Sequence, residues 1–191
     1  MKKNKDTSPV RIIVAGTADT THCDISVLEK AKDLGIEIAR HKGVLMTGVV
    51  TGFPLWAAKG AQEAGGTVIG FSPAADEREH IQVYRLPGDY IDVPIYTGFG
   101  YMGRDLLMVR SADAIIFGVG RIGTIHEFTV AYEEGKVIGI LKNPQHTEDL
   151  FLDIAARDLH KERVIIVDED PHRLVERVIK KAKEARAEIT G

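Results

Sequence analysis

The sequence predicts an α/β fold: a Rossmann-like, doubly wound parallel sheet of about seven strands with helices on both faces. Three observations carry this expectation. Short apolar runs alternate along the chain with longer amphipathic segments, which is the pattern of repeated βα units. Glycine-rich turns follow the first, second, fourth and fifth of those runs, and right-handed crossovers would place all of these turns on one sheet edge. The length of 191 residues suits one α/β domain. Residues 1–191 are therefore expected to form a single nucleotide-binding domain, with 1–9 as a flexible polar tail.

The elements follow in order. VRIIVA (10–15) reads as the first strand and runs into Gly16, Thr17, Ala18 and Asp19. A helix over about 24–41 comes next and stops at Gly43. VLMT (44–47) is the second strand, ending at Gly48. Gly52 and Pro54 open the following helix, because proline is tolerated in a first turn. TVIGF (67–71) is the third strand. The segment 72–92 has no clean periodicity and carries Pro73, Pro87 and Gly88, so it reads as a long irregular loop, a type that is often functional. A strand over 91–96 is pushed toward an edge by Pro94. Gly98, Gly100 and Gly103 lead into a helix over about 102–111. AIIF (114–117) suits a strand buried on both faces. GVGRIG (118–123) turns the chain into an amphipathic helix that ends near Gly135. A strand KVIGIL (136–141), a helix over about 148–159, a strand over 163–167 and a helix from about Pro171 complete the chain.

Composition narrows the function classes. The chain is 44% hydrophobic and 28% charged, enough apolar material for a large core and against disorder. A formal net charge of −3 argues against nucleic acid as a general partner. The single cysteine, Cys23, forms no intrachain disulfide and fits a reducing, cytoplasmic setting. No apolar stretch has the length of a signal peptide or membrane span, so no membrane partner is expected. The histidines are scattered, with no H-E-x-x-H and no C-x-x-C. No metal site and no cofactor are expected from such spacing.

Phosphate chemistry is expected at the strand ends. Backbone N–H groups at a helix N-terminus form a ready anion site. The dinucleotide fingerprint G-x-G-x-x-G is absent from the first turn, GTADTTHCD, and occurs only late, at Gly118, Gly120 and Gly123. No acidic residue closes the strand after it, and a Walker A loop is also missing. Hydride transfer and P-loop ATP hydrolysis are therefore disfavoured.

Three features in fixed order point elsewhere: TGVVTGFPLWAAKGAQEAGGTVIGFSP (47–73), GRDLLMVRSADAII with Arg104 and Arg110, and GVGRIGTIHE (118–127). Over about 11–141 this set resembles the LOG family of lysine-decarboxylase-like proteins. The resemblance implies a Rossmann-like fold and a homo-oligomer, commonly a dimer. It also implies phosphoribohydrolase chemistry, which releases the base from a nucleoside 5′-monophosphate. Related proteins of the wider superfamily bind nucleotide-like ligands or carry the molybdenum cofactor without that reaction. Against the family signature P-G-G-x-G-T-x-x-E, Gly120, Gly123, Thr124 and Glu127 match, while Val119 and Arg121 replace the proline and second glycine. The family's Arg-Lys pair falls on Arg104 and Asp105. Val49 and Val50 stand where the family often has glycines.

The resemblance makes Glu127 and Arg104 the candidate catalytic residues. A carboxylate near an anomeric carbon can stabilise oxocarbenium character or orient water. Glu127 could equally be a helix-start carboxylate that favours the dipole. Arg104 could polarise the leaving base or bind the ligand, or sit in a salt bridge. Gly16, Thr17, Gly48, Gly52, Gly120, Arg121, Gly123 and Thr124 are the expected phosphate- and ligand-binding residues. Asp19 reads as an exposed turn residue. Adjacent helical residues point about 100° apart, so His126 reads as a packing or interface residue rather than a second group on the ligand of Glu127. One of Phe99 or Tyr101 could stack on a base, and the helices after Gly52 and Gly100 could form a dimer face. The expected function is thus a nucleoside 5′-monophosphate-binding phosphoribohydrolase. The alternative is a non-enzymatic nucleotide sensor or a carrier of the molybdenum cofactor, a pterin.

Overall fold

A computed structural model describes residues 8–21, 23–157 and 162–189. Seven parallel strands form one sheet in the order β4-β3-β2-β1-β5-β6-β7. They are β1 (Arg11–Ala15), β2 (Val44–Thr47), β3 (Thr67–Ser72), β4 (Val93–Tyr96), β5 (Ala114–Phe117), β6 (Val137–Leu141) and β7 (Ile165–Asp168). The expected doubly wound α/β fold is present. Strand order reverses between β1 and β5, whose pairing runs from Ile12 against Ala114 to Ala15 against Phe117. The crevice at this reversal is where open α/β sheets bind ligands.

Side-chain alternation along the buried strands builds two cores. Ile12, Val14, Leu45, Val68 and Ile116 face one side, against α1 (Ile25–Arg40), α2 (Phe53–Glu63) and α7 (Pro171–Ile189). Ile13, Ala15, Met46, Ile115 and Phe117 face the other, against α4 (Gly100–Ser111), α5 (Ile122–Glu133) and α6 (Thr147–Ala156). Successive residues of a strand point to opposite faces, so one apolar run serves both layers. Phe128 of α5 stacks on Phe151 of α6 with centroids 4.6 Å apart, and both meet Phe117 of β5.

The segment expected to be wholly irregular contains a short helix, α3 (Glu77–Gln82). Asp76 caps it by accepting from the Glu79 N–H at 2.8 Å, and the Glu79 carboxylate accepts from the Ala75 N–H at 2.6 Å. This reciprocal pattern resembles a capping box, which can start a helix without an apolar stripe. His80 is buried, with Nδ1 2.9 Å from Ser72 Oγ and Nε2 3.1 Å from the Pro87 carbonyl, so the segment is pinned to the end of β3.

Most of the expected N-terminal tail lies outside the described residues. Ser8 and Pro9 are described, and both carbonyls accept from Arg186 of α7, at 3.0 and 2.9 Å. The expected end of the sixth helix at Leu159 also lies outside them; α6 closes at Ala156. Of the two helices expected to offer a dimer face, α4 presents exposed Met102, Leu106 and Leu107, whereas α2 exposes no large apolar side chain. Among the described residues, no helix is long and apolar enough to cross a membrane.

Candidate functional site

Three strand-end loops lock together at the reversal point. The Thr17 N–H donates to the Val119 carbonyl at 2.7 Å, tying the loop after β1 to the turn after β5. The Phe53 N–H donates to the Thr17 carbonyl at 3.0 Å, and Thr51 Oγ1 donates to the Ala18 carbonyl at 2.9 Å, tying both to the loop after β2. The Phe53 ring fills the space beneath them: a Cβ on Gly118 would lie 2.1 Å from it and one on Gly16 2.8 Å. Gly52 has φ +74°, and a Cβ there would stand 2.4 Å from the Thr17 carbonyl oxygen. Only glycine meets both demands.

These loops and α4 enclose an open cavity of about 400 Å³. Gly16, Thr17, Gly48, Arg104, Arg121, Gly123, Thr124 and Glu127 all line it, so most of the residues singled out from the sequence converge. Gly52 and Gly120 do not reach it. Gly52 serves the backbone junction described above, and Gly120 packs under Thr124, where a Cβ would be 2.5 Å from the Thr124 Cβ. Thr17 lends less than its position suggests, because its hydroxyl already donates to the Asp19 carbonyl at 2.9 Å. Gly123 has open space where a Cβ would stand, so the first turn of α5 is left bare. Val49 keeps a left-handed backbone, φ +52°, at a position where the resembled family often has glycine. A β-branched residue there is strained.

The floor of the cavity is a charged cluster from α4 and α5. Arg104 and Asp105 are both buried, at 5% and 4% exposure. Arg104 Nε lies 2.9 Å from Asp105 Oδ1, but neither atom makes a hydrogen bond of acceptable angle. The pair is a charge contact between sequence neighbours rather than a fork. Arg104 Nη1 also points at the Phe71 carbonyl, 3.4 Å away, and the guanidinium lies 5.8 Å from the Tyr101 ring centre. His126 Nδ1 donates to Asp105 Oδ2 at 3.1 Å. His126, expected as a packing or interface residue, is therefore the second partner of a buried carboxylate. Glu127 stands beside this group. Burial pushes its carboxyl up to about 8, Asp105 adds repulsion, and Arg104 opposes the shift. Burial likewise raises the Asp105 carboxyl, against the pull of Arg104 and His126.

Arg104 and Glu127, the catalytic candidates singled out from the sequence, both line the cavity, and Asp105, given no role by the sequence, stands beside them. The only signal was Asp105 standing at the lysine position of the Arg-Lys pair. Asp19, expected to be an exposed turn residue, is exposed, and its Oδ2 accepts from Arg121 Nη1 at 2.8 Å. Arg121 thus contacts a carboxylate across the cavity mouth. Of the two aromatic candidates, Tyr101 lines the cavity and Phe99 does not.

Known proteins place this architecture. A protein of uncharacterised function from Archaeoglobus fulgidus is 32% identical over 135 residues, which cover 71% of this chain and 83% of that one. The molybdenum cofactor binding protein from Rippkaea orientalis superposes with a TM-score of 0.75 at 26% identity, covering 92% of this chain and 98% of its own. The Moco carrier protein from Chlamydomonas reinhardtii superposes with a TM-score of 0.73 at 28% identity, covering 93% and 99%. The motif resemblance to LOG proteins thus holds at the level of the wider SLOG superfamily. Residues 9–175 match the family model, and the chain belongs to the SLOG cluster4 family.

Proposed function

We propose that this protein binds and carries a phosphorylated small molecule with a ring system, of the molybdenum-cofactor (pterin) type, without cleaving it. The observation that carries this reading is Asp105 beside Glu127. Burial, with added repulsion from the Asp105 carboxyl, raises Glu127 to about 8, so near neutral pH it holds its proton. In that state it is no anion for an oxocarbenium charge and no base toward water; as an acid it could still protonate a departing base, which is the second reading below. It can donate a hydrogen bond to a ligand ring. Arg104, shared between Asp105 and the Phe71 carbonyl, offers a fixed positive charge at the cavity floor. The similarity to cofactor-binding and carrier proteins along nearly the whole chain supports the same reading.

The test is loading with purified molybdenum cofactor, followed by gel filtration and detection of the oxidised pterin by fluorescence. In parallel, a panel of nucleoside 5′-monophosphates is assayed for base release. Retained pterin without base release is the expected result. Release of a base that Glu127→Gln and Arg104→Ala both abolish would replace this reading with phosphoribohydrolase chemistry. That second reading is favoured by one observation, the convergence of Arg104 and Glu127 on a single cavity. Self-association through the apolar face of α4, with Leu106 and Leu107 at its centre, is part of the same proposal and is checked by sedimentation.

A further inference from the structure

The main cavity does not end at Arg121. On the other side of the Asp19–Arg121 ion pair lies a second cavity of about 290 Å³, lined by Cys23, Gly120, His146 and Leu150 among others. Thr17, Asp19 and Arg121 line both spaces. The pair bridges the loop after β1 and the turn after β5, so it forms the partition between them.

That partition is easily opened. The two side chains are 68% and 47% exposed, and an exposed ion pair of this kind contributes little to stability. Its halves are unequally held. Asp19 Oδ1 accepts from the Thr21 N–H at 3.1 Å and from Thr21 Oγ1 at 2.7 Å, which fixes the carboxylate. Arg121 makes no capping bond from its side chain to α5. Arg121 is therefore the part that can swing. Its planar fork suits two phosphate oxygens as well as a carboxylate. Each cavity alone sits at the low end of ligand-site volumes, roughly 300–1,000 Å³, whereas the two joined fall well inside that range.

We propose that the two cavities form one bipartite site for an elongated ligand, with two ring-bearing halves joined through a diphosphate. Asp19 holds Arg121 as a stand-in for that diphosphate until the ligand displaces it. This inference rests on the reading of the main cavity as a site for a phosphorylated ligand, and it specifies the ligand's length and the position of its bridge.

The experiment compares joined probes with their halves. Diadenosine diphosphate, diguanosine diphosphate and flavin adenine dinucleotide are titrated by calorimetry beside AMP, GMP and FMN. Alkylation of Cys23 by iodoacetamide is the second readout. Cys23 is the chain's only cysteine and lines the second cavity. Burial and the nearby Asp19 push its thiol up, so labelling is run under alkaline conditions. At least one joined probe is expected to bind about tenfold more tightly than either half, as one added charge-assisted contact would give, and to slow alkylation by a similar factor. The halves should leave the alkylation rate unchanged. Asp19→Asn, which frees Arg121, should tighten the joined probe further, and Arg121→Ala should erase its advantage over the halves. Halves that bind with no gain on joining, or a joined probe that leaves Cys23 fully reactive, would overturn the bipartite site and leave the carrier reading standing. Failure of every probe to bind would also overturn the bipartite site, while the pterin-loading test decides the carrier reading separately.

Discussion

Arg104 occupies the space above Gly48: a Cβ on Gly48 would stand 1.5 Å from Arg104 Nη1 and 2.6 Å from Cζ. The end of β2 and the middle of α4 are thus fitted to each other, and the glycine is there for the arginine. Gly48→Ala should push the guanidinium off the cavity floor. Because the displaced atoms are the tip of a flexible side chain beside an open cavity, the expected loss of stability is within about 1 kcal/mol, with a clear fall in ligand affinity. Thermal unfolding and pterin binding measured on the same preparation check this. A variant with unchanged affinity would show that Arg104 does not need its present position.

Glu127 gives a pH signature. Its carboxyl is raised from 4.5 to about 8, so between those values the folded chain holds a proton that the unfolded chain has released. Stability must then fall as pH rises through that window. Glu127→Gln removes the titration. Wild type and variant should be similar near pH 4, and above pH 8 the variant should be more stable. A shift from 4.5 to about 8 corresponds to on the order of 5 kcal/mol across this window. Urea unfolding across this range measures the difference, and parallel pH profiles would contradict the raised value.

Asp105 couples the two. Asp105→Asn removes the like charge that helps to raise Glu127, so the Glu127 carboxyl should titrate lower, followed by carbon NMR of the carboxyl resonance. The same change leaves the buried Arg104 without its carboxylate. Breaking a buried pair costs about 3–5 kcal/mol, and the poor angle of this contact puts the expected loss at the lower end. An unshifted Glu127 resonance in a folded variant would show that desolvation alone sets its value.

How far the sequence reveals this depends on the range of the interaction. The strands are readable because parallel strands buried on both faces must be apolar throughout, as AIIF and VIGIL are. The glycines of the cavity are readable as turns, but glycine spacing says only that something comes close. At Gly52 and Gly120 the neighbour is the protein itself. The helix α3 was hidden because it is short, and its signal lies in Asp76 and Glu79 rather than in periodicity. The contact between Asp105 and His126 joins two helices 21 residues apart, and no local pattern encodes it. It exists because α4 and α5 pack on the same face of the sheet.

The opposite end of the sheet holds a second test of the electrostatics. Asp113, just before β5, accepts from the Arg11 backbone N–H at 2.7 Å and from its guanidinium at 2.9 and 3.1 Å. Arg186 of α7 adds a contact at 2.9 Å and a second, shorter one. Despite burial, these donors hold the Asp113 carboxyl down at about 2, against 3.8 unperturbed. A depressed carboxyl contributes stability that is complete above pH 3.8 and is lost as pH falls toward 2. The shift corresponds to about 2 kcal/mol at neutral pH. Asp113→Asn should remove roughly that amount at pH 7 and flatten the acid limb of the stability profile between pH 4 and 2. Arg186 also holds the Ser8 and Pro9 carbonyls, so the same variant should raise hydrogen exchange at the start of β1. A variant as stable as wild type at pH 7 would mean that the desolvation of Asp113 cancels its pairing, and the bonds from Arg186 to the Ser8 and Pro9 carbonyls would then, with packing, tie α7 to the start of β1.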